Sequence, residues 1–282
     1  MLTNQGKTHI KRYLAGMNSA IGRSVAFGIG DKAMSATDTR LQFEAGRSSL
    51  TLRTYDFVND GLVFKASVPD GIGGVINEIA LFSDENDAGG QFESGMLFSF
   101  TPDTEYWTKV SDGSPADFVA THARLGTESL SITASANGNA SAALTDFSLD
   151  LDAYLASDTL SFALKPNTAN VSSVRFRFMT DASNYYEFSV SPTGTNYQII
   201  TKDKSTATVT GSPSWSDISE LRVILYSTAG GASTILLDGI RIDSNTIVND
   251  NYVMISRIKL DEPFIKRAGM TKEVEFYVDV SI

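Results

Sequence analysis

Hydrophobic and polar residues alternate with a period of two along most of this chain, and this period predicts β-strands. In Val174-Arg175-Phe176-Arg177-Phe178 the apolar side chains point to one face and the two arginines to the other. Such a strand belongs to a sheet that has one face in a core and the other in solvent. The pattern therefore predicts an all-β fold class for most of the chain.

The N-terminal segment has a helical period instead. Thr3 or Asn4 can cap a helix there, and Ile10, Leu14 and Met17 recur at spacings of four and three. These three residues are expected to form the buried face of the helix. The glycine that precedes Met17 is expected to end it.

Short runs of β-branched and aromatic residues, separated by turn signals, predict two series of strands. The predicted strands of the first series are 24–29, 41–44, 50–55, 62–68, 75–82 and 96–100. Those of the second series are 130–132, 160–164, 174–178, 186–190, 197–200, 221–225 and 235–242. The close and regular spacing of the second series predicts a two-sheet sandwich or jelly roll.

The C-terminal segment determines the predicted domain organisation. A polar stretch, 244–251, precedes a closing strand, 274–282, in which apolar and polar residues alternate. So short a segment cannot bury its apolar face alone, because chains below about 40 residues rarely fold unaided. The first hundred residues, which resemble it in charge balance, are its expected partner. We therefore predict a discontinuous β domain, 1–100 with 246–282, into which a β-sandwich or jelly-roll domain, 101–245, is inserted.

The charge of the chain argues against a nucleic-acid partner. Its formal net charge is −10, and a nucleic-acid surface repels such a chain unless its basic residues gather on one face. Residues 101–250 carry 9 Lys and Arg against 17 Asp and Glu, so most of the acidity lies in the predicted insertion. No apolar run predicts a membrane span or a signal peptide, and the absence of cysteine excludes disulfides and thiolate chemistry.

Eight segments of the predicted discontinuous domain form a set of short motifs. They are residues 2–7, 10–16, 25–30, 36–39, 41–44, 62–66, 76–82 and 274–278. Together they resemble a family of virion structural proteins of tailed bacteriophages. The resemblance implies a non-enzymatic protein that is made in the bacterial cytoplasm and located in the virion, on the tail or baseplate, in a symmetric multimer with other virion proteins as partners. A head decoration, cement or head-fibre protein is the alternative.

Seven basic residues of the same domain are candidates for its docking side, since an acidic neighbour on the particle would attract them. They are Lys7, Lys11, Arg12, Arg23, Arg40, Arg47 and Arg53. Ordinary solvated positions on a helix and on strands explain each of them equally well. The acidic insertion is expected to project outward into solvent.

A second set of segments lies in the predicted insertion, at residues 106–108, 123–132, 185–188, 215–218, 221–223 and 235–240. These segments resemble the jelly roll of lectins and carbohydrate-binding modules, which implies binding to host-surface glycans or an inert spacer. In such modules an acidic residue near the start and one in the last strand often hold a structural calcium. Asp103 or Glu105 with Asp238 match those places, and carboxylate oxygens suit calcium. The resemblance implies no other cofactor.

Aromatic residues of the insertion could present flat rings to sugars, although large aromatics more often fill cores. The candidates are Trp107, Tyr185, Tyr186, Tyr197, Trp215 and Tyr226. Trp215 precedes a predicted core strand and Trp107 opens the predicted domain, so both are expected to pack. Tyr185 and Tyr197 are therefore the predicted glycan-binding residues.

No catalytic residue is predicted. Residues 28–33 fit the letters of a dinucleotide-binding turn, but they lead into a strand and not into the helix that such a site needs. His9 and His122 have no partner at a recognisable spacing, and no acidic pair stands out. A protein that is not an enzyme is the prediction. Hydrolysis of surface glycans is the alternative, and it requires a carboxylate pair in a groove.

Overall fold

The computed structural model describes residues 1–18, 20–59, 61–70, 72–84, 95–100, 105–110, 117–119, 123–244, 252–267 and 269–279. In chain order the elements up to the middle of the chain are α1 (Asn4–Leu14), β1 (Ser24–Gly28), β2 (Glu44–Asp56), β3 (Gly61–Val68), β4 (Gly74–Asp84), β5 (Met96–Phe98), β6 (Trp107–Lys109), β7 (Asp117–Val119), β8 (Ser129–Ala134) and β9 (Asn139–Leu144). They continue with β10 (Thr159–Pro166), β11 (Val171–Asp181), β12 (Asn184–Val190), β13 (Gln198–Asp203), a 3-10 helix (Lys204–Thr206), β14 (Thr208–Thr210), β15 (Glu220–Ser227), β16 (Ser233–Asp243), β17 (Tyr252–Lys266) and β18 (Lys272–Asp279). The predicted all-β class with an N-terminal helix is confirmed.

The chain divides into two compact units. Unit 1 comprises Met1–Ser94, Arg124–Gly126 and Val248–Ile282, and unit 2 comprises Gly95–Ala123 and Thr127–Ile247. The predicted domain boundaries, 100/101 and 245/246, concern independent folding and stay a prediction. Within the described ranges, no helix is long and apolar enough to cross a membrane.

Unit 1 is built on an antiparallel sheet that both ends of the chain share. Its strand order is β17-β4-β1-β2-β3-β18, so the two C-terminal strands form the two edges of a sheet begun by the N-terminal strands. In β18, Phe276 and Val278 are buried and Tyr277 is exposed, which confirms the predicted alternation over the described part of that strand. Val280 and Ile282 of the predicted strand lie outside the described residues.

Helix α1 buries a different face from the one predicted. Thr3 is its N-cap, and the Thr3 hydroxyl oxygen accepts a hydrogen bond from the Gly6 amide at 2.8 Å. The buried helix residues are Gly6, His9 and Ile10, whereas Leu14 and Met17 are 65% and 69% exposed. The predicted face was wrong at these two positions because a glycine, which hydropathy does not score as a contact residue, lets the helix approach β17 closely.

Replacing Gly6 with alanine should lower the stability of unit 1 by about 1–3 kcal/mol, the range for overpacking a core. A Cβ atom at this position would lie 2.1 Å from the Ile255 carbonyl oxygen. Inside a helix this substitution normally stabilises, by about 1 kcal/mol, so the expected sign is reversed. Thermal unfolding measures the effect. Gly61→Ala is the control, because a Cβ atom at position 61 would lie 3.6 Å from its nearest neighbour, the Val278 carbonyl oxygen.

Unit 2 is a sandwich of two antiparallel sheets. One has the order β13-β10-β16-β8-β7, with β5 also paired to β16, and the other has the order β14-β12-β11-β15-β9-β6. The inner faces share one apolar cluster, in which the Phe162 ring on β10 stacks on the Phe176 ring on β11 with centroids 4.4 Å apart. The predicted two-sheet sandwich is therefore confirmed.

Several strands differ from their predictions; β6, β7 and β14, each of three residues, were not predicted. The predicted strands 41–44 and 50–55 are replaced by the single strand β2, which pairs first with β1 and then with β3. β9 was not predicted because its buried residues are mostly alanines, which carry little β signal. β17 extends eleven residues beyond the short apolar run 252–255, through a charged segment that continues to pair with β4.

Candidate functional site

The outward face of one sheet of unit 2 carries arginine, glutamate and tyrosine side chains in contact with one another. They come from the neighbouring strands β12, β11 and β15. We call this set the arginine–tyrosine face; its members are Arg175, Arg177, Tyr185, Glu187, Glu220, Arg222 and Tyr226.

The period of β11 and the strand register bring these side chains together. Phe176 and Phe178 are buried in the sandwich core, so the alternating Arg177 lies on the opposite face. Arg177 is directly opposite Glu187 on β12 and directly opposite Arg222 on β15. Directly opposed residues have Cβ atoms about 5 Å apart, so three charged side chains form a row across three strands.

Glu187 links two arginines of β11. Its Oε1 accepts a hydrogen bond from Arg175 Nη1 at 3.2 Å, and its Oε2 accepts one from Arg177 Nε at 2.6 Å. A carboxylate shared by two guanidinium groups fixes both of them, because charge-assisted hydrogen bonds are stronger than neutral ones. Arg175 and Arg177 are thus held in place before any ligand arrives.

Each of these arginines also lies over a tyrosine ring. The Arg175 guanidinium carbon is 4.5 Å from the centroid of Tyr226, and that of Arg177 is 4.5 Å from the centroid of Tyr185. Cation–π contact of this kind orients both partners, and it gives the rings a defined position on a sheet face. Arg175 Nε is buried and has no hydrogen-bond partner.

The third arginine has its own carboxylate. Arg222 Nε donates to Glu220 Oε1 at 2.7 Å, and both side chains are partly exposed. Three arginines against two glutamates give the face a formal charge of +1, while residues 101–250 as a whole carry 9 basic and 17 acidic residues. The face is therefore a local positive area in an acidic unit.

Aromatic rings, guanidinium groups and carboxylates on one sheet face are suited to an extended polar ligand. Tyrosine offers apolar contact with a polar tip, while arginine and glutamate offer directed donors and acceptors. A row of partly exposed side chains, unlike an enclosed cavity, can contact several units of a polymer at once. Of the two predicted glycan-binding tyrosines, Tyr185 belongs to this face, and Tyr226 was an aromatic candidate that was not selected as one of the two. The i, i+2 period Arg222, Ile224, Tyr226 along β15 is the signal that identifies it.

Tyr197, the other predicted tyrosine, belongs to a different sheet environment. Its hydroxyl donates to Asp238 Oδ2 at 3.0 Å, and Asp238 is buried in β16. The Ser129 hydroxyl lies 3.5 Å from the other oxygen of Asp238. The structure thus brings a predicted sugar-binding residue and a predicted calcium ligand into one hydrogen-bonded group.

The other predicted calcium ligands are separate from this group. Glu105 accepts hydrogen bonds from the Ser99 amide at 2.6 Å, the Phe100 amide at 3.1 Å and Trp107 Nε1 at 3.0 Å, and it thereby links the end of β5 to the start of β6. Asp103 lies outside the described residues. Over the described part of the chain, no group of three or more His, Asp or Glu is placed to hold a metal ion, and the calcium site stays a prediction.

The two tryptophans pack as predicted. Trp215 stacks on Tyr186 with ring centroids 3.8 Å apart and an interplanar angle of 6°. Trp107 stacks on Phe100 at 5.0 Å. Both rings lie against the apolar cluster of the sandwich, so neither is a platform for sugar.

The seven predicted docking residues do not share one environment. Lys7 and Lys11 are exposed on α1, one helical turn apart. Arg23 immediately precedes β1 and Arg53 lies on β2, and both are exposed. Arg12 and Arg40 are half-buried. Arg47 differs from the expectation, because its side chain is buried, pairs with Glu44 at 3.0 Å and lies 3.8 Å over the Phe82 ring.

The glycines of segment 28–33 serve a buried carboxylate and not a dinucleotide. A Cβ atom on Gly28 or Gly30 would lie 2.6 or 2.5 Å from Glu78 Oε1. The Gly30 amide donates to the same oxygen at 3.2 Å. His9, one of the two isolated histidines, is buried, and its Nε2 lies 3.1 Å from the Ala20 carbonyl oxygen. His122 lies outside the described residues.

Comparisons with known proteins give similarities of fold only. No family model and no curated protein sequence matches the chain. A family 30 carbohydrate-binding module of a Clostridium thermocellum cellulosomal cellulase is 16% identical with a TM-score of 0.42, over 55% of this chain and 99% of that one. The family 11 module from Clostridium thermocellum, in complex with a β-1,3-1,4-mixed-linked tetrasaccharide, is 13% identical with a TM-score of 0.41, over 55% and 98%.

An exo-β-agarase is 14% identical with a TM-score of 0.41, over 56% of this chain. This chain spans only 26% of the length of that enzyme. Structural similarity at these TM-scores supports no conclusion about function. Any such conclusion rests on the side chains of this chain.

Proposed function

We propose that unit 2 binds carbohydrate through the arginine–tyrosine face and does so without catalysis. The observation that carries the proposal is the pair of tyrosine rings, Tyr185 and Tyr226, each held against a guanidinium group on one partly exposed sheet face. A pyranose ring has apolar C–H faces and a rim of hydroxyls. Tyrosine rings suit the first, and the flanking arginine and glutamate side chains suit the second.

The shape of the face favours a polysaccharide chain over a small molecule. Pockets for small molecules bury most of their ligand, whereas a flat face contacts each sugar unit only in part. Single contacts on such a face are weak, and affinity grows with the number of units or of module copies that are engaged together.

Replacing Tyr185 and Tyr226 with alanine should abolish retention of the full-length chain on polysaccharide gels, because both ring contacts are lost. Affinity electrophoresis against a panel of soluble polysaccharides measures it. Tyr277→Ala is the control, since it removes a tyrosine ring that is more exposed than either of these two, from unit 1. Retention that survives the double replacement, or that Tyr277→Ala removes, would overturn the proposed site, and release of new reducing ends would overturn the absence of catalysis.

The second part of the proposed function is attachment of unit 1 to a larger assembly, the phage virion being the specific candidate. It is favoured by an apolar turn between β2 and β3, where Phe57 and Val58 are 88% and 90% exposed. Exposed apolar residues of this size often mark protein contacts. Lys7 and Lys11 add a basic helix face.

Immunogold labelling of phage particles with an antibody against the full chain tests the virion assignment. Regular labelling of the tail or baseplate is the expected result, and labelling of the head would favour the decoration or head-fibre alternative. Particles that assemble with no label at all would remove the virion from the proposal.

A further inference from the structure

We infer that the arginine–tyrosine face selects acidic polysaccharides, whose carboxylate or sulfate groups bind its guanidinium groups. This inference rests on the proposed function and specifies the ligand of the same face. Its first support is charge: the face is formally +1, although residues 101–250 contain 17 acidic and only 9 basic residues. In a unit with so few cations, three of them are gathered on the two adjacent strands β11 and β15.

The second support is the number of hydrogen-bond donors that the carboxylates leave over. A guanidinium group has five N–H donors. Of the ten on Arg175 and Arg177, Glu187 accepts one from each residue. The two residues therefore present further N–H groups next to a single shared carboxylate. A planar anion can accept two such bonds from one arginine, which a neutral hydroxyl cannot reproduce.

The third support is the fixed position of these groups. Glu187 and the two tyrosine rings hold Arg175 and Arg177 in place, so little side-chain freedom remains to be lost on binding. Arg175 Nε is already shielded from water without a partner. Partial desolvation strengthens the attraction of a guanidinium group for an anion.

The acidity of the rest of the unit is compatible with this preference. Charges farther away than about 8 Å are largely screened at physiological ionic strength, whereas direct contacts are not. The same acidity disfavours nucleic acid, whose phosphate charges are about 1.7 Å apart along a duplex and would extend beyond the face. Acidic polysaccharide is therefore the favoured polymer, and nucleic acid is an outcome of the test.

The test compares pairs of polymers that differ only in charge, at one ionic strength, by affinity electrophoresis of the full chain. Polygalacturonate is paired with its methyl ester, and dextran sulfate with dextran. We expect binding about tenfold tighter to at least one charged member than to its neutral partner, as for one added charge-assisted hydrogen bond. The pair that shows the preference distinguishes carboxylate from sulfate.

Variants with opposite expected signs locate the effect. Arg175→Gln and Arg222→Gln should each weaken binding to the charged polymer about fivefold, and Glu220→Gln should strengthen it, because it removes a competing carboxylate from Arg222. Lys202→Gln, which removes a cation from β13 in the other sheet, should change nothing. Circular dichroism confirms that each variant is folded.

The outcomes separate this inference from the proposed function. If charged and neutral polymers bind equally and Tyr185→Ala still weakens that binding, the acidic preference is overturned and carbohydrate binding by this face stands. Equal loss in Lys202→Gln and Arg175→Gln, or tighter binding to single-stranded DNA than to any polysaccharide, would also overturn it. Binding to none of the polysaccharides would overturn both.

Discussion

Replacing Arg257 with methionine should lower the stability of unit 1 by about 3–5 kcal/mol, the cost of leaving buried charges without their partner. The Arg257 side chain is 2% exposed, and Nη2 is 2.7 Å from Oε2 of Glu78, which is fully buried. Nη1 is 2.5 Å from Asp38 Oδ2, and Nη2 also donates to the Lys32 carbonyl at 3.0 Å. The substitution removes the cation that both buried carboxylates share and leaves Asp38 with the exposed Lys32 ammonium group at 3.3 Å.

The effect is expected to be large because Glu78 organises the surrounding backbone. Besides Arg257 it accepts hydrogen bonds from the amides of Gly30 at 3.2 Å, Gln42 at 3.1 Å and Phe43 at 2.9 Å. Loss of the Arg257 charge destabilises the buried carboxylate and, with it, this set of amide contacts. The loop between β1 and β2 then loses its contacts to β4.

Amide hydrogen exchange in β4 and β17 is the suitable measurement, because both tryptophans lie in unit 2 and their fluorescence does not report on unit 1. Lys65→Met is the control. It breaks a partly exposed pair with Glu275 in the same unit, which is expected to cost far less than the buried network. Equal and small losses in the two variants would contradict the account of the buried network.

The loss should also depend on pH. Burial by itself would raise the pKa of the Asp38 carboxyl, but the Ser35 amide and the hydrogen bond and charge of Arg257 outweigh burial and lower this pKa below its ordinary value. A carboxyl with a lowered pKa stabilises the fold above its unfolded pKa of about 3.9, and this stabilisation is lost as the pH falls through the folded value. The stability difference between the native chain and Arg257→Met should therefore shrink as the pH falls below about 4 toward the lower folded pKa of Asp38.

A fragment of residues 95–247 should fold alone and unfold cooperatively, with tryptophan fluorescence as the readout. All residues of the sandwich core cluster lie within this range. The comparison fragment is 101–245, the domain as predicted from the sequence. It lacks β5, which pairs with β16, and it lacks Phe98 and Phe100 of the core.

The shorter fragment should be much less stable, since loss of a buried phenylalanine side chain costs about 3–5 kcal/mol. Phe98 contacts the Phe147 ring at 5.3 Å and Phe100 stacks on Trp107 at 5.0 Å, so both losses fall inside the sandwich. Equal urea midpoints for the two fragments would contradict the role of β5. Failure of 95–247 to fold while the full chain folds would contradict the independence of unit 2.

Strand periodicity accounts for the part of the fold that the sequence predicts well. The Arg175 and Arg177 alternation, the apolar faces of β16 and β18 and the packing of both tryptophans follow from local pattern and residue type. Contacts that join distant segments of the chain do not follow from local pattern. The Arg257–Glu78 pair spans 179 residues, and nothing near either residue identifies its partner.

The candidate site was predicted only in part for the same reason. Tyr185 was predicted, but its arginine partner lies on the neighbouring strand, and Tyr226 comes from a third strand. Tyr197 was predicted from its surroundings in sequence, whereas its hydroxyl bonds a buried aspartate. Which aromatic rings share a sheet face is decided by register, and register is set by pairing and not by composition.

Carbohydrate binding by the arginine–tyrosine face is tested most directly by mapping amide chemical shifts of the full 282-residue chain during titration with an oligosaccharide of the polymer it binds best. We expect the largest shifts on β11, β12 and β15, around Arg177, Glu187 and Tyr226. Shifts centred on Tyr197 and Asp238, or on unit 1, would contradict it.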